Sequence, residues 1–159
     1  MKVDYKERFS VEGKRCIVTG GAQGLSRGMA EALLENGGRV VLMDVQKDKL
    51  AEVVQEYVDL GYDAYGITGN LADRKEIDRM FAEAMDILGG LDVLIPAAGI
   101  QRRHLPEEFP IEEWDLVLNI NLNHVFIMCQ KALQVMLKQE TGGKIINIAY
   151  SGWTLGHTG

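Results

Sequence analysis

Apolar runs of strand length alternate along this chain with segments of helical period, and glycine marks almost every join. That alternation restricts the fold more than any other feature. The runs are Lys14 to Thr19, Arg39 to Asp44, Asp63 to Thr68, Leu91 to Pro96 and Lys144 to Ala149. Several are continuous in Val, Ile and Leu, so both of their faces must be covered. Between them lie helical stripes: Leu50, Val53, Val54 and Tyr57; Ile77, Met80, Phe81, Ala84 and Leu88; and Val125, Met128, Cys129, Ala132, Leu133, Met136 and Leu137. Each follows the i, i+3, i+4 rule. Asp73 with Glu76 reads as a capping box, and Gly37-Gly38, Gly61, Gly89-Gly90 and Gly142-Gly143 stand where helix C-caps belong. Strands joined by helices run parallel with right-handed crossovers. The expected fold is therefore α/β, a doubly wound, Rossmann-like parallel sheet in the order βαβαβαβαβ.

The 159 residues fit one domain, with 47% hydrophobic and 25% charged residues, an ordinary mix for a globular protein with a core. A net charge of -6, with no run of Lys or Arg, argues against a nucleic-acid partner. No apolar run approaches the roughly 18 residues of a membrane span, and Met1 to Ser10 lacks the apolar core of a signal peptide. The expectation is a cytoplasmic protein with no membrane association. Cys16 and Cys129 fall within a predicted strand and helix, and His104, His124 and His157 show no ligand spacing with them, so no metal site is expected.

In a doubly wound sheet, ligands bind at the carboxyl ends of the strands where the strand order reverses, beside the first strand. There the chain carries Thr19-Gly20-Gly21-Ala22-Gln23-Gly24-Leu25-Ser26 and then a helix-like segment. A strand, a glycine turn and a helix start bring free backbone N–H groups and the positive end of a helix dipole together, where a phosphate can sit. The strict G-x-G-x-x-G pattern is absent. The second strand ends in Asp44, near the spacing at which an acid takes the adenosine ribose hydroxyls. The plainer alternative is that the glycines form only a tight turn and Asp44 caps the next helix.

On these residues the chain resembles the short-chain dehydrogenase/reductase family along its whole length. Thr19-Gly20 through Gly24-Leu25 is similar to the family's Thr-Gly-x-x-x-Gly-x-Gly turn, and Asn121 in Asn119-Ile120-Asn121-Leu122 to its active-site Asn. Gly143-Lys144-Ile145-Ile146-Asn147-Ile148 looks like the fifth strand leading to the catalytic Ser. The resemblance implies a cofactor site of Gly20, Gln23, Gly24, Leu25, Asp44, Asn70, Leu71, Ala98 and Gly99, with Asn121 and Ser151 catalytic. An acid at Asp44 repels a 2′-phosphate and no Arg follows it, so NAD is expected rather than NADP. Gly99-Ile100-Gln101-Arg102-Arg103 and Trp114 to Asn119 are similar to the gluconate 5-dehydrogenase and 2-deoxygluconate 3-dehydrogenase branch. That implies a sugar-acid or polyol substrate. On the loop above the fourth strand, Arg102 or Arg103 suits a substrate carboxylate; the alternative is a solvated loop from Gly99 to Pro106 whose charges touch nothing. The family also implies a homo-oligomer, dimer or tetramer, joined through the helix from Val125 to Leu137; the alternative is a helix simply buried deeper in the core.

The departures are as specific as the matches. The five tyrosines are Tyr5, Tyr57, Tyr62, Tyr65 and Tyr150, and none has Lys four residues on, so the family's Tyr-x-x-x-Lys is missing. Tyr150 occupies the expected Ser position, with Ser151 one place later. Ser26 replaces the third glycine, Asn70 an Asp, and Pro96-Ala97 the Asn-Asn of Asn-Asn-Ala-Gly. The fifth strand is apolar on both faces with nothing after it to cover it. Residues 1-159 are therefore expected to be a single dinucleotide-binding domain truncated at its C-terminus, or one completed by another chain. The functional expectation is an NAD-dependent oxidoreductase interconverting alcohol and ketone; the alternative is a non-catalytic dinucleotide-binding or assembly module.

Overall fold

The computed structural model describes residues 10–149. It contains a five-stranded sheet in the order β3-β2-β1-β4-β5: β1 (Arg15–Thr19), β2 (Arg39–Asp44), β3 (Ala64–Thr68), β4 (Val93–Pro96) and β5 (Lys144–Ile145), with every neighbouring pair parallel. The helices are α1 (Gly24–Glu35), α2 (Lys47–Asp59), α3 (Arg74–Leu88), α4 (Ile111–Leu118) and α5 (His124–Met136).

Strand alternation divides the core in two. Ile17, Val41, Met43, Ile67 and Leu94 point to one face, where Ile77, Met80, Phe81 and Ala84 of α3 and Met128, Ala132 and Met136 of α5 cover them. Cys16, Val18, Val40, Leu42, Val93 and Ile95 point to the other, beneath Ala30 and Leu34 of α1 and Leu50, Val53 and Tyr57 of α2. Both faces are covered, as the unbroken apolar strands require. The strand order reverses between β1 and β4, so their carboxyl ends diverge and leave a crevice.

Three details differ from the sequence reading. The fifth strand pairs only over Lys144–Ile145 instead of Lys144 to Ala149, although β4 itself runs on to Pro96, and Ile146 and Ile148 are exposed. The capping box is half formed. Asp73 Oδ1 accepts from Lys75 N at 2.8 Å, but Glu76 turns to Arg79 at 2.8 Å instead of reaching back. The buried stripe of α5 is His124, Met128, Ala132 and Met136: the last three lie where expected, His124 joins them, Val125 and Cys129 are only half-buried, and Leu133 and Leu137 are exposed. The sequence reading also lacked α4 and the π-helical turn Asn119–Asn123 that joins it to α5.

Arg15 and Asp92 fasten the opposite end of the sheet. Arg15 donates Nε to Asp92 Oδ2 at 2.8 Å and Nη2 to Oδ1 at 2.9 Å, a fork-to-fork pair, while Asp92 Oδ2 also accepts the Arg15 backbone N–H. The guanidinium holds the Asp92 carboxyl below the ordinary carboxylate range against the opposing effect of burial.

Candidate functional site

The site is built on the end of β1. Thr19 is the last strand residue, and Gly20 turns away with φ +72°, donating its N–H to Met43 O of β2 at 2.7 Å. A Cβ on Gly20 would lie 2.9 Å from Ala98 Cα, so only glycine lets the chains from β1 and β4 pass this close. Gly24, at φ +61°, opens α1 with free space where a side chain would stand. Among the described residues no side chain caps α1, and no acid stands in its first turn, so its leading N–H groups and dipole face outward uncompensated.

Asp44 ends β2 and is 6% exposed. Its Oδ2 accepts from Ala22 N of the glycine turn at 3.1 Å, and its Oδ1 accepts from Gln46 N at 3.0 Å. The same carboxylate thus shapes the glycine turn, as well as the entry to α2, and still faces the crevice. Two of its roughly four lone-pair positions are taken by backbone and Gln46 Nε2 approaches Oδ1 at 3.5 Å, which leaves Oδ2 with room for a hydroxyl.

Around this point lies a cleft of about 350 Å³ lined by Gly20, Gln23, Asp44, Asn70, Leu71, Ala98 and Gly99 of the expected residues. Ser26, Val45, Gln46, Gly69, Ala97, Ile100 and Ile120 complete the lining. Asn70 accepts from Ala72 N at 2.9 Å through Oδ1, so it also shapes the turn into α3. Gly24 and Leu25 do not line the cleft, and Leu25 is 70% exposed at the start of α1. Residues such as Val45 and Gln46 escaped the sequence reading because they carry no motif; their position just past the Asp44 strand end was the available signal.

A second hollow, of about 860 Å³, continues from the first through Ala97, Ala98, Gly99 and Ile100. Arg102, Arg103, Asn121 and Ile148 line it. Asn121 lies in the π-helical turn, a register shift often found at functional sites. Its side chain grips Ile100 twice, and so carries the loop that leads to the arginines. Glu113 of α4 pairs with Arg102 at 3.4 Å and with His104 at 2.9 Å. Arg103 meets only the Gln101 side chain, at 3.4 Å, and among the described residues no carboxylate pairs with it. Ser151 and Tyr150 lie outside the described residues.

Two departures from the family pattern face each other. Ser26 Oγ lies 3.5 Å from Ala97 O, so the hydroxymethyl that replaces a glycine hydrogen sits against the small residue that replaces an Asn. Pro96 is the last residue of β4, in register with Thr19, where the chain leaves the ladder. Its missing N–H costs the sheet nothing inside the strand.

A family model, short chain dehydrogenase, matches residues 14–152. The chain is 37% identical over 147 residues to 3-oxoacyl-(acyl-carrier-protein) reductase FabG of Staphylococcus aureus, covering 92% of this chain and 59% of that protein. It is 34% identical over 140 residues to 5-keto-D-gluconate 5-reductase of Escherichia coli, covering 88% and 55%. Among solved structures, a gluconate 5-dehydrogenase from Burkholderia cenocepacia in complex with NADP and tartrate superposes with a TM-score of 0.83 at 29% identity, covering 92% of this chain and 57% of that one. The chain thus spans little more than half the length of the relatives it matches. With the parallel sheet, the glycine turn and Asp44 at the strand-order reversal, this match over nearly the whole chain establishes that it belongs to the short chain dehydrogenase family.

Proposed function

We propose that this chain is the dinucleotide-binding part of an NAD-dependent oxidoreductase that interconverts an alcohol and a ketone on a sugar-acid or polyol substrate. The observation that carries the reading is the meeting of an uncapped α1 N-terminus, the Gly20 turn and the Asp44 carboxylate around one cleft. Gly20 and the α1 N–H groups suit a pyrophosphate, and Asp44 suits ribose hydroxyls while repelling a 2′-phosphate. The B. cenocepacia relative binds NADP, so the choice of dinucleotide is the point on which Asp44 is decisive. When bound, the nicotinamide supplies the hydride chemistry. Asn121 holds the floor of the second hollow in place through Ile100, and Ser151, by resemblance, polarises the substrate oxygen.

Substrate selection is assigned to the second hollow. Glu113 offsets the charge of Arg102, which leaves Arg103 as the cation for a substrate carboxylate. The similarity to enzymes named for keto-gluconate and gluconate agrees with an acidic sugar. We also propose that the protein is cytoplasmic and homo-oligomeric; among the described residues no helix is long and apolar enough to cross a membrane.

A turnover assay with acidic sugars, run beside an NADH-binding titration on the full-length protein, tests the reading. Turnover with dinucleotide binding is expected, and replacement of Arg103 by Gln is expected to raise KM for acidic sugars about tenfold, with a smaller effect for Arg102→Gln. Binding without turnover would favour the non-catalytic module, and an unchanged KM in both arginine variants would remove the arginines from substrate binding.

A further inference from the structure

The π-helical turn and the end of β1 meet at a buried histidine that the dinucleotide reading leaves without a role. His124 opens the buried stripe of α5 and is fully buried, as is Thr19. Thr19 has the same strand parity as Ile17, which points it at the α3 and α5 side of the sheet, where His124 lies. Ring Nε2 is 3.3 Å from Thr19 Oγ1, and ring Nδ1 is hydrogen-bonded to Ile120 O. Thr19 Oγ1 in turn accepts the Ala98 N–H at 3.0 Å.

Donor and acceptor roles in this chain follow from chemistry. A carbonyl oxygen can only accept, so Nδ1 must carry a proton and donate to Ile120 O. In the neutral ring Nε2 is then an acceptor, and the Thr19 hydroxyl, which takes the Ala98 N–H on its oxygen, has its own proton free to donate to Nε2. The chain runs Ala98 N–H to Thr19 to His124 to Ile120 O with each group used once. Burial pushes the His124 ring below its ordinary pKa, with the Ile120 carbonyl acting the other way, which agrees with a neutral ring. The backbone N–H of His124 bonds Asn119 O instead of Ile120 O, so the imidazole supplies to Ile120 the donor that an α-helical register would have taken from the backbone.

We propose that His124 is a positioning residue, a neutral Nδ1–H clasp that through Thr19 and Ile120 fixes the Ala98 edge and the Asn121 turn relative to the glycine turn. Ala98 and Ile120 both line the first cleft, so the clasp sets its width between β1 and β4. Its effect on dinucleotide binding rests on the cofactor reading above; its geometry does not.

Ring nitrogen NMR on the full chain, with amide exchange at Ala98 and NADH titration, tests the clasp. The expected wild-type signature at neutral pH is a neutral ring protonated on Nδ1. Thr19→Val, isosteric without the hydroxyl, is expected to shift the Nε2 resonance, speed Ala98 exchange at least tenfold and weaken NADH binding about tenfold. Thr19→Ser is expected to restore most of that protection. His124→Leu keeps apolar volume without the polar atoms, and is expected to speed Ala98 exchange as Thr19→Val does, with little added in the double variant. A ring protonated on Nε2, or additive effects of the two substitutions, would overturn the proposal, as would full Ala98 protection in His124→Leu. An intact ring signature and Ala98 protection in a wild-type chain that binds no NADH would support the clasp and overturn the cofactor reading.

Discussion

Asn121 and Ile100 exchange two hydrogen bonds: Asn121 Oδ1 accepts from Ile100 N at 2.9 Å, and Asn121 Nδ2 donates to Ile100 O at 2.9 Å. The amide side chain mimics a strand partner for a residue that has left the sheet. It joins the π-helical turn to the loop after β4, and so joins the two hollows.

Asn121→Asp removes the donor while keeping the shape, and it sets a carboxylate against Ile100 O. Each net hydrogen bond is worth about 1 kcal/mol, and an unpaired carbonyl facing a charge costs more. Chemical denaturation is expected to show a loss of about 1–2 kcal/mol, with KM for substrate rising more than that for cofactor. A variant that matches the wild type in both respects would mean that the loop is held elsewhere.

Gly20 and Gly24 both have positive φ but differ in surroundings. A methyl at Gly20 meets Ala98 backbone, whereas one at Gly24 meets open space. Gly24→Ala therefore carries only the left-handed backbone cost, roughly 1 kcal/mol. Gly20→Ala adds a steric clash and is expected to be at least twice as destabilising in a thermal or urea melt, and to abolish dinucleotide binding. Equal losses for the two variants would contradict the close approach of β1 and β4.

Asp92 makes acid sensitivity predictable. Its folded-state pKa is depressed by Arg15, so the unfolded chain takes up a proton first as pH falls. Its stabilisation is present above the unfolded value near 3.9 and is lost as pH drops through the folded one. Asp92→Asn is expected to cost about 2–3 kcal/mol at pH 7, because Arg15 loses a charged, forked partner. The variant should also show a flatter stability profile below about pH 4. A variant whose acid limb matches the wild type would assign that limb to other carboxylates.

The outer face of α5 carries Phe126 at 65% exposure, and Leu137, just past its end, is 81% exposed. If this face is the homo-oligomer interface, Phe126→Asp is expected to lower the mass of the full-length protein on gel filtration while leaving its circular dichroism unchanged. An unaltered elution volume would place the interface elsewhere.

Much of the fold was legible because burial on both sheet faces forces unbroken apolar runs, as in Val40 to Met43, and because glycine at positive φ, as at Gly37, Gly61 and Gly89, ends helices at readable positions. The cleft residues Gly20 and Asp44 were legible for the same reason: each meets a backbone requirement that few other residues satisfy. His124 was not. One polar residue at the head of an apolar stripe has no pattern of its own, and its meaning comes from Thr19, 105 residues away in sequence. The π-helical turn was hidden because a one-residue register shift leaves no compositional mark.

The cleft beside Asp44 is proposed to take a dinucleotide and to prefer NAD. Parallel fluorescence titrations of the chain with NADH and NADPH, repeated on Asp44→Asn, decide both points. Wild type is expected to bind NADH at least tenfold more tightly than NADPH, and the variant to lose most of that preference as NADPH gains and NADH weakens. Equal or tighter NADPH binding by the wild type, or a preference untouched by the substitution, would contradict the account.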